Sequence, residues 1–321
     1  MRYLTTRTVT FNEREPWRTD VDFVDEKAYV ERRVNRLPVS ARALGDAWYQ
    51  FQFGLYLLRR CRKYEGISVG RYGIWLPILQ RLLGLKKRVV MTDIEWREAR
   101  GRCNRAASLA STYVCCFTNE EIKRYSRQYG IPQDKFMLVL DAFQHSDQKK
   151  PSDDGFVFAG GIQNRDWDTF FKAVDGLPCP VRVFTNQQLE SVPSNTSLHL
   201  VGRDEYYSQM AAASCVVVPV GAEPLRINGI ATWTNAMAMG KVVIATEPLG
   251  APDYMEQGVS GFYVNYRDAD ALRARIETVM GDPKLRRSVG AAACERAHKE
   301  FSPEVFKQRI LALLEGIHVD A

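Results

Sequence analysis

The sequence predicts an α/β protein built from two Rossmann-like units, each a mainly parallel sheet with helices between its strands. Three observations predict it. Short apolar runs of strand length alternate with longer stretches of helical period along the chain, as in βαβ units. The alternation breaks at a polar, turn-rich stretch from Gln144 to Gly155 and then restarts, as an interdomain linker allows. A glycine turn at Gly229 opens a short helix that Gly240 ends and that feeds directly into the apolar run from Val242 to Ala245. With 321 residues, the chain is long enough for two cores.

In the first half, strands are expected at 3–10, 67–69, 88–92, 113–118 and 137–140, with helices near 41–64, 74–84, 95–110 and 119–129. Gly130-Ile131-Pro132 stops the last helix. Along 41–64, Leu44, Trp48, Phe51, Leu55 and Leu58 share one face at alternating spacings of four and three, and Tyr49, Phe53, Tyr56 and Leu57 widen it. That stripe suits a core helix, and with Arg59-Arg60-Cys61-Arg62-Lys63 closing it, a helix lying on a membrane surface. The second half restarts at 156–161. Strands follow at 181–184, 198–201, 215–219, 242–246 and 262–264, with helices from 167, at 204–213, 230–239, 267–281 and 283–300. A last helix spans 303–317, with Phe306, Ile310, Leu313 and Ile317 on one face.

The net charge of +6 is unevenly shared. Residues 1–150 carry 28 Lys+Arg against 17 Asp+Glu, whereas residues 151–321 carry 16 against 21. The first half is thus suited either to an anionic partner or to a plain solvated basic surface. Its aromatic residues sit at helical core spacing rather than on a strand platform, which argues against nucleic acid. Seven cysteines, odd in number and without CxxC or Cys/His spacing, argue against a disulfide scaffold or a zinc site and fit a reducing cytoplasm. No apolar run reaches the roughly 18 residues needed to cross a bilayer, and the opening residues lack the pattern of a signal peptide. The expected location is cytoplasmic, with association to a membrane surface left open.

Two glycine turns are candidate anion sites. The first is Gly160-Gly161-Ile162-Gln163-Asn164-Arg165-Asp166, after an apolar strand and before a helix. The second is Asn228-Gly229-Ile230-Ala231, where the backbone can approach an anion at the positive end of a helix. Taken alone, an ordinary helix-to-strand joint explains the second equally well. Glu223-Pro224-Leu225-Arg226 leads into it and must lie at the carboxyl edge of the sheet, where open α/β sheets bind ligands.

The run Asn235-Ala236-Met237-Ala238-Met239-Gly240-Lys241-Val242-Val243-Ile244-Ala245, followed by Asp253-Tyr254 and Gln257-Gly258-Val259-Ser260-Gly261-Phe262-Tyr263-Val264, resembles the C-terminal half of retaining GT-B glycosyltransferases of the group 1, or family 4, type. The resemblance covers about the last 170 residues well and the first 145 loosely. It implies a GT-B fold, two Rossmann-like domains facing across a cleft. Residues 1–146 would bind the acceptor and 147–302 the nucleotide sugar, with 303–321 packing back on the first domain. It further implies transfer of a hexose from a nucleotide-diphosphate donor of UDP or GDP type, without a metal or other cofactor, to a carbohydrate or lipid-linked acceptor.

The family pattern places an arginine after the first glycine and a lysine soon after it. Here Gly161 stands in the arginine's place, and Arg165 can take the lysine's. Of the family's two glutamates seven residues apart, Asn235 replaces the second, where it could still bond a ribose hydroxyl, and Glu223 is an offset candidate for the first. Arg165, Arg226 and Glu223 are therefore the expected catalytic residues. Gly160, Gly161, Asn228, Gly229, Ile230, Ala231 and Asn235 are the expected donor contacts. In the first half, Gly70-Arg71-Tyr72 and Thr92-Asp93-Ile94-Glu95 each end a strand on the same side, making Arg71, Asp93 and Glu95 the acceptor candidates, although Asp93 could equally cap a helix. The family's usual first-domain histidine is missing, since the chain has only His145, His199, His298 and His318. A non-catalytic subunit that binds nucleotide or lipid for a partner transferase, and a sugar-nucleotide epimerase of the same fold, remain alternative readings.

Overall fold

The computed structural model describes residues 2–6, 18–93, 101–145, 151–221, 228–246 and 250–317. The chain forms two compact units, Met1–Val139 with Phe306–Ala321, and Leu140–Val305. In the first, strands β1 (Tyr3–Thr5) and β2 (Val21–Phe23) precede helices α1 (Glu26–Val34) and α2 (Arg42–Arg60). They are followed by β3 (Gly66–Val69), α3 (Trp75–Leu82), β4 (Arg88–Met91), α4 (Gly101–Ala110), β5 (Tyr113–Cys116), α5 (Asn119–Tyr129) and β6 (Phe136–Leu138). The six strands pair in parallel in the order β2-β1-β3-β4-β5-β6.

The sheet's strands are buried almost throughout, as expected when helices cover both faces. Leu4, Ile67, Val89, Met91 and Val114 form the core with Phe53, Leu57 and Leu76 from the helices. Neither β2 nor α1 is expected from the sequence pattern. The Asp25 carboxylate caps α1 by accepting from the Ala28 amide at 2.8 Å.

The face of α2 also differs from expectation. Gln50, Phe53, Gly54 and Leu57 are its buried residues, whereas Leu44 is 81% and Trp48 56% exposed. The helix carries apolar residues on most of its circumference, so periodicity alone does not choose the side that meets the sheet. Close approach to α3 does choose: a Cβ on Gly54 would lie 2.5 Å from the Trp75 side chain.

The second unit contains β7 (Val157–Gly160), α6 (Trp167–Val174), β8 (Val181–Phe184), β9 (Thr196–His199), α7 (Arg203–Ala212), β10 (Cys215–Val218), α8 (Ile230–Ala238) and β11 (Val242–Thr246). Then come α9 (Ala251–Tyr254), β12 (Phe262–Val264), α10 (Ala269–Gly281), α11 (Pro283–Glu300) and α12 (Pro303–Glu315). Its parallel sheet runs β12-β11-β10-β7-β8-β9, with the order reversing beside β7. Such a switch point opens a crevice at the carboxyl ends of the strands.

Residues 140–145 belong to the second unit rather than closing the first. The Asp141 amide donates to the Tyr254 hydroxyl at 2.8 Å and the Phe143 amide to the Phe301 carbonyl at 3.3 Å. From Phe306 onward, the last helix groups with the first unit, where Leu314 lies against Gly66 and its carbonyl accepts from Arg88. Glu315 pairs with Arg18 at 2.7 Å.

Candidate active site

The carboxyl edge of the second sheet is assembled around β7, β10 and the start of α8. The β7 strand ends at Gly160, and the loop after it turns back to pair with the end of β10. The Asp166 amide donates to the Pro219 carbonyl at 2.9 Å and the Gly221 amide to the Asn164 carbonyl at 3.0 Å. This pairing fixes Arg165, whose Nε donates to the Gly160 carbonyl at 3.0 Å and whose second nitrogen donates to the Gln163 carbonyl at 2.7 Å. The guanidinium folds back over the glycine turn. A Cβ on Gly161 would stand 2.3 Å from it, and Gly161 has φ +127°. Glycine at 161 therefore vacates the space that Arg165 fills. The departure from the family pattern at 161 and the cation at 165 are a single arrangement.

Burial lowers the pKa of the Arg165 guanidinium, with Tyr206 acting in the opposite sense. The Tyr206 ring packs against Gly160, and its hydroxyl lies 3.4 Å from the Thr232 hydroxyl on the first turn of α8. Burial raises the phenol's pKa, keeping it protonated and able to donate. Tyr206 and Thr232 thus link Arg165 to the amino end of α8. Gly229 precedes that helix at φ +93°, and no side chain caps it. A Cβ there would meet Val218 at 2.7 Å. The positive helix end and its first amides therefore stand uncapped by side chains near a half-buried cation.

Beside this cluster, a cavity of about 320 Å³ opens at the ends of β7, β8 and β9, lined in part by Gly161, Phe184, Thr185, Asn186, His199 and Tyr206. The Phe184 and His199 rings stack at 5.0 Å, and Tyr206 meets Phe184 edge-on. This offers a flat aromatic wall with amide and hydroxyl groups at its rim.

Asn235 has a different task from the expected ribose contact. It is fully buried, and its Oδ1 accepts from the Gln144 amide at 2.9 Å and the His145 amide at 2.6 Å. Its Nδ2 donates to the Ala231 carbonyl at 2.6 Å. With both ends of the amide occupied inside the fold, the side chain pins residues 144–145 to α8. His145 is buried beside it and stacks on Tyr207 at 4.1 Å, and burial lowers its pKa. Lys241, which follows the helix, is also structural. Its ammonium donates to the Ser152 and Ala213 carbonyls, and burial brings its pKa down to about 8. Glu223 and Arg226 lie outside the described residues, as does Glu95.

In the first unit, Arg71 and Asp93 follow β3 and β4 at the carboxyl edge. Arg71 bonds Glu31 at 3.2 Å and the Tyr72 hydroxyl at 2.7 Å. Pattern reading does not single out their neighbour, Glu26. This buried carboxylate accepts from the Thr6 hydroxyl at 2.5 Å and the Gly70 amide at 3.1 Å. Burial, followed in weight by the opposing Thr6 bond and then the nearby Asp93 charge, raises its pKa to about 7. Only the fold brings this glutamate to a sheet edge.

Among the described residues, no group of three or more His, Cys, Asp or Glu side chains gathers as a metal site. None of their helices is long and apolar enough to cross a membrane.

Residues 185–296, which include α8 and β11, match the family described as Glycosyl transferases group 1. This part of the chain is thus similar to group 1 glycosyl transferases. The α-maltose-1-phosphate synthase of Mycolicibacterium smegmatis is 33% identical over 99 residues, which are 29% of this chain and 24% of that protein. The chain thus matches only about a quarter of that curated relative's length. Over nearly its whole length it shares the fold of sucrose-phosphate synthase from Thermosynechococcus elongatus, with TM-score 0.70, 16% identity, and coverage of 98% of this chain and 88% of that one. The structure of Anabaena HepE in complex with UDP gives TM-score 0.69 at 14% identity, covering 99% and 100%. The α/β fold is GT-B, with two Rossmann-like parallel sheets.

Proposed function

We propose that the chain transfers a hexose from a nucleotide-diphosphate donor to a hydroxyl of a carbohydrate or lipid-linked acceptor, with retention of configuration, in glycan, glycolipid or polysaccharide biosynthesis. The observation that carries this reading is the half-buried Arg165 guanidinium beside the uncapped amino end of α8, in a unit whose residues 185–296 match group 1 glycosyl transferases. The C–O bond between sugar and diphosphate breaks as the acceptor oxygen bonds to the sugar carbon; negative charge grows on the leaving diphosphate, whose oxygen takes up the acceptor hydroxyl's proton. Arg165, the amides of Gly229, Ile230 and Ala231, and the hydroxyls of Tyr206 and Thr232 supply positive charge and donors for it in a partly water-excluded place. Arg226 and Glu223 are proposed to complete this ring. The aromatic wall of Phe184 and His199 suits a nucleobase, and the neighbour solved with UDP favours uridine first.

Arg71, Asp93 and Glu95 are proposed to face the acceptor. The basic excess of the first half favours contact with an anionic membrane surface, where a lipid-linked acceptor would be found.

Calorimetric titration with UDP, GDP and ADP tests the donor site. One diphosphate should bind and weaken by roughly 10- to 150-fold in Arg165→Ala, as loss of a charged hydrogen bond requires. The corresponding sugar nucleotide should be slowly hydrolysed. Absence of binding by all three overturns the donor reading, and binding without sugar release favours the non-catalytic subunit.

A further inference from the structure

We propose that the first unit docks on an anionic phospholipid bilayer through a basic groove at the amino edge of its sheet, with Leu82 and Leu83 entering the lipid. The inference rests on the membrane reading above and not on sugar transfer.

A cavity of about 700 Å³ lies where β3, β4, β5 and β6 begin. Arg81, Lys86, Lys87, Arg88 and Lys135 line it, against the single carboxylate of Glu65. Three of them donate to neutral oxygens: Arg81 to the Leu109 carbonyl at 3.4 Å, Lys135 to the Ser111 carbonyl at 2.8 Å, and Arg88 to the Leu314 carbonyl. Such bonds orient the cations without cancelling their charge. Five like charges around one concavity repel one another and concentrate a positive potential, which an anion brought into the groove relieves.

The rim identifies the source of that anion. Between the lining residues Arg81 and Gly84, Leu82 is 76% and Leu83 61% exposed. The opposite side of α3 is buried through Leu76, Pro77 and Gln80, so the pair does not serve the core. A soluble phosphate compound gains nothing from two leucines projecting beside its site. A bilayer takes both, headgroup phosphates against the cations and leucine side chains at the acyl boundary.

The groove lies at the opposite ends of the strands from Arg71, Asp93 and Glu26, so the proposed acceptor residues and the lipid contact use different edges of one sheet. Val39, Leu44 and Trp48 form the rival exposed apolar surface. None of these three residues lines the groove.

Flotation of the full chain with phosphatidylcholine vesicles, with and without phosphatidylglycerol, tests the inference. Wild type should float with the anionic vesicles and much less with the neutral ones, and added salt should release it. Lys86→Gln/Lys87→Gln should lower partitioning roughly 25-fold, as each basic residue near an anionic leaflet contributes about fivefold. Leu82→Ser/Leu83→Ser should lower it several-fold. Leu44→Ser/Trp48→Ser should bind as wild type, and unchanged circular dichroism should establish that each variant folds.

If wild type floats with neither vesicle, the membrane reading itself fails. If wild type floats but the Leu44/Trp48 variant is the one that loses binding, only the groove is overturned. The groove is also overturned if the Leu82/Leu83 variant floats as wild type while heparin displaces both equally, because the site then takes a soluble polyanion.

Discussion

Replacing Glu26 with glutamine should remove a pH dependence that the folded first unit imposes on its own stability. In the unfolded chain this carboxyl titrates at its ordinary 4.5, and in the fold at about 7, burial being the largest cause. Between those values the folded state keeps a proton that the unfolded state has released. Stability therefore falls as pH rises through the window, and the loss is complete above pH 7. A shift of this size corresponds to about 3 kcal/mol.

Glutamine resembles the protonated acid and can still accept from Thr6 and Gly70 through its oxygen, but its amide nitrogen cannot accept, whereas both oxygens of the carboxylate can. A constant penalty of about 1–3 kcal/mol should follow. The diagnostic quantity is thus the slope rather than the offset. Urea denaturation at several pH values should show the wild type losing stability across the window while Glu26→Gln stays flat. The Gly70 amide should titrate with a midpoint near 7 in the wild type only. Parallel stability profiles, together with a Gly70 resonance that titrates near 4.5, would refute burial as the governing effect.

Asn235→Ala leaves the Gln144 and His145 amides without their acceptor and should destabilise the second unit by about 2–4 kcal/mol; unchanged stability combined with lost nucleoside affinity would instead restore the ribose role. Gly161→Ala places a methyl against the Arg165 guanidinium and should weaken diphosphate binding at least tenfold in calorimetry while leaving binding of the bare nucleoside unchanged. Lys241 titrates at about 8 in the fold against its ordinary 10.5 because of burial, so the folded state releases its proton first and stability should rise with pH between those values. Lys241→Met should lack this rise in thermal melts.

The parts of the fold that are legible in the sequence are those written in local signals. Gly229, the apolar helix after it, Gly240 and the run Val242–Thr246 punctuate one another within about twenty residues, and the structure has α8 and β11 there. The switch from strand to helix period likewise gives both parallel sheets. What escapes depends on partners distant in the chain. Asn235 reads as a substituted ligand because Gln144 and His145 lie about ninety residues away. Glu26 carries no local signal because its partners Thr6 and Gly70 come from two other strand ends. The outward face of α2 is ambiguous for a different reason: its apolar residues surround the helix, and only the close approach of Gly54 to Trp75 selects the buried side.

The staple made by Asn235 also provides a natural reporter. The Gln144 and His145 amides are protected from exchange by one side chain on α8, not by a strand ladder, so their exchange rates measure how firmly that helix is seated. An anion that engages the first turn of α8 tightens the same helix. It should slow deuterium uptake at residues 144 and 145 before any chemistry takes place.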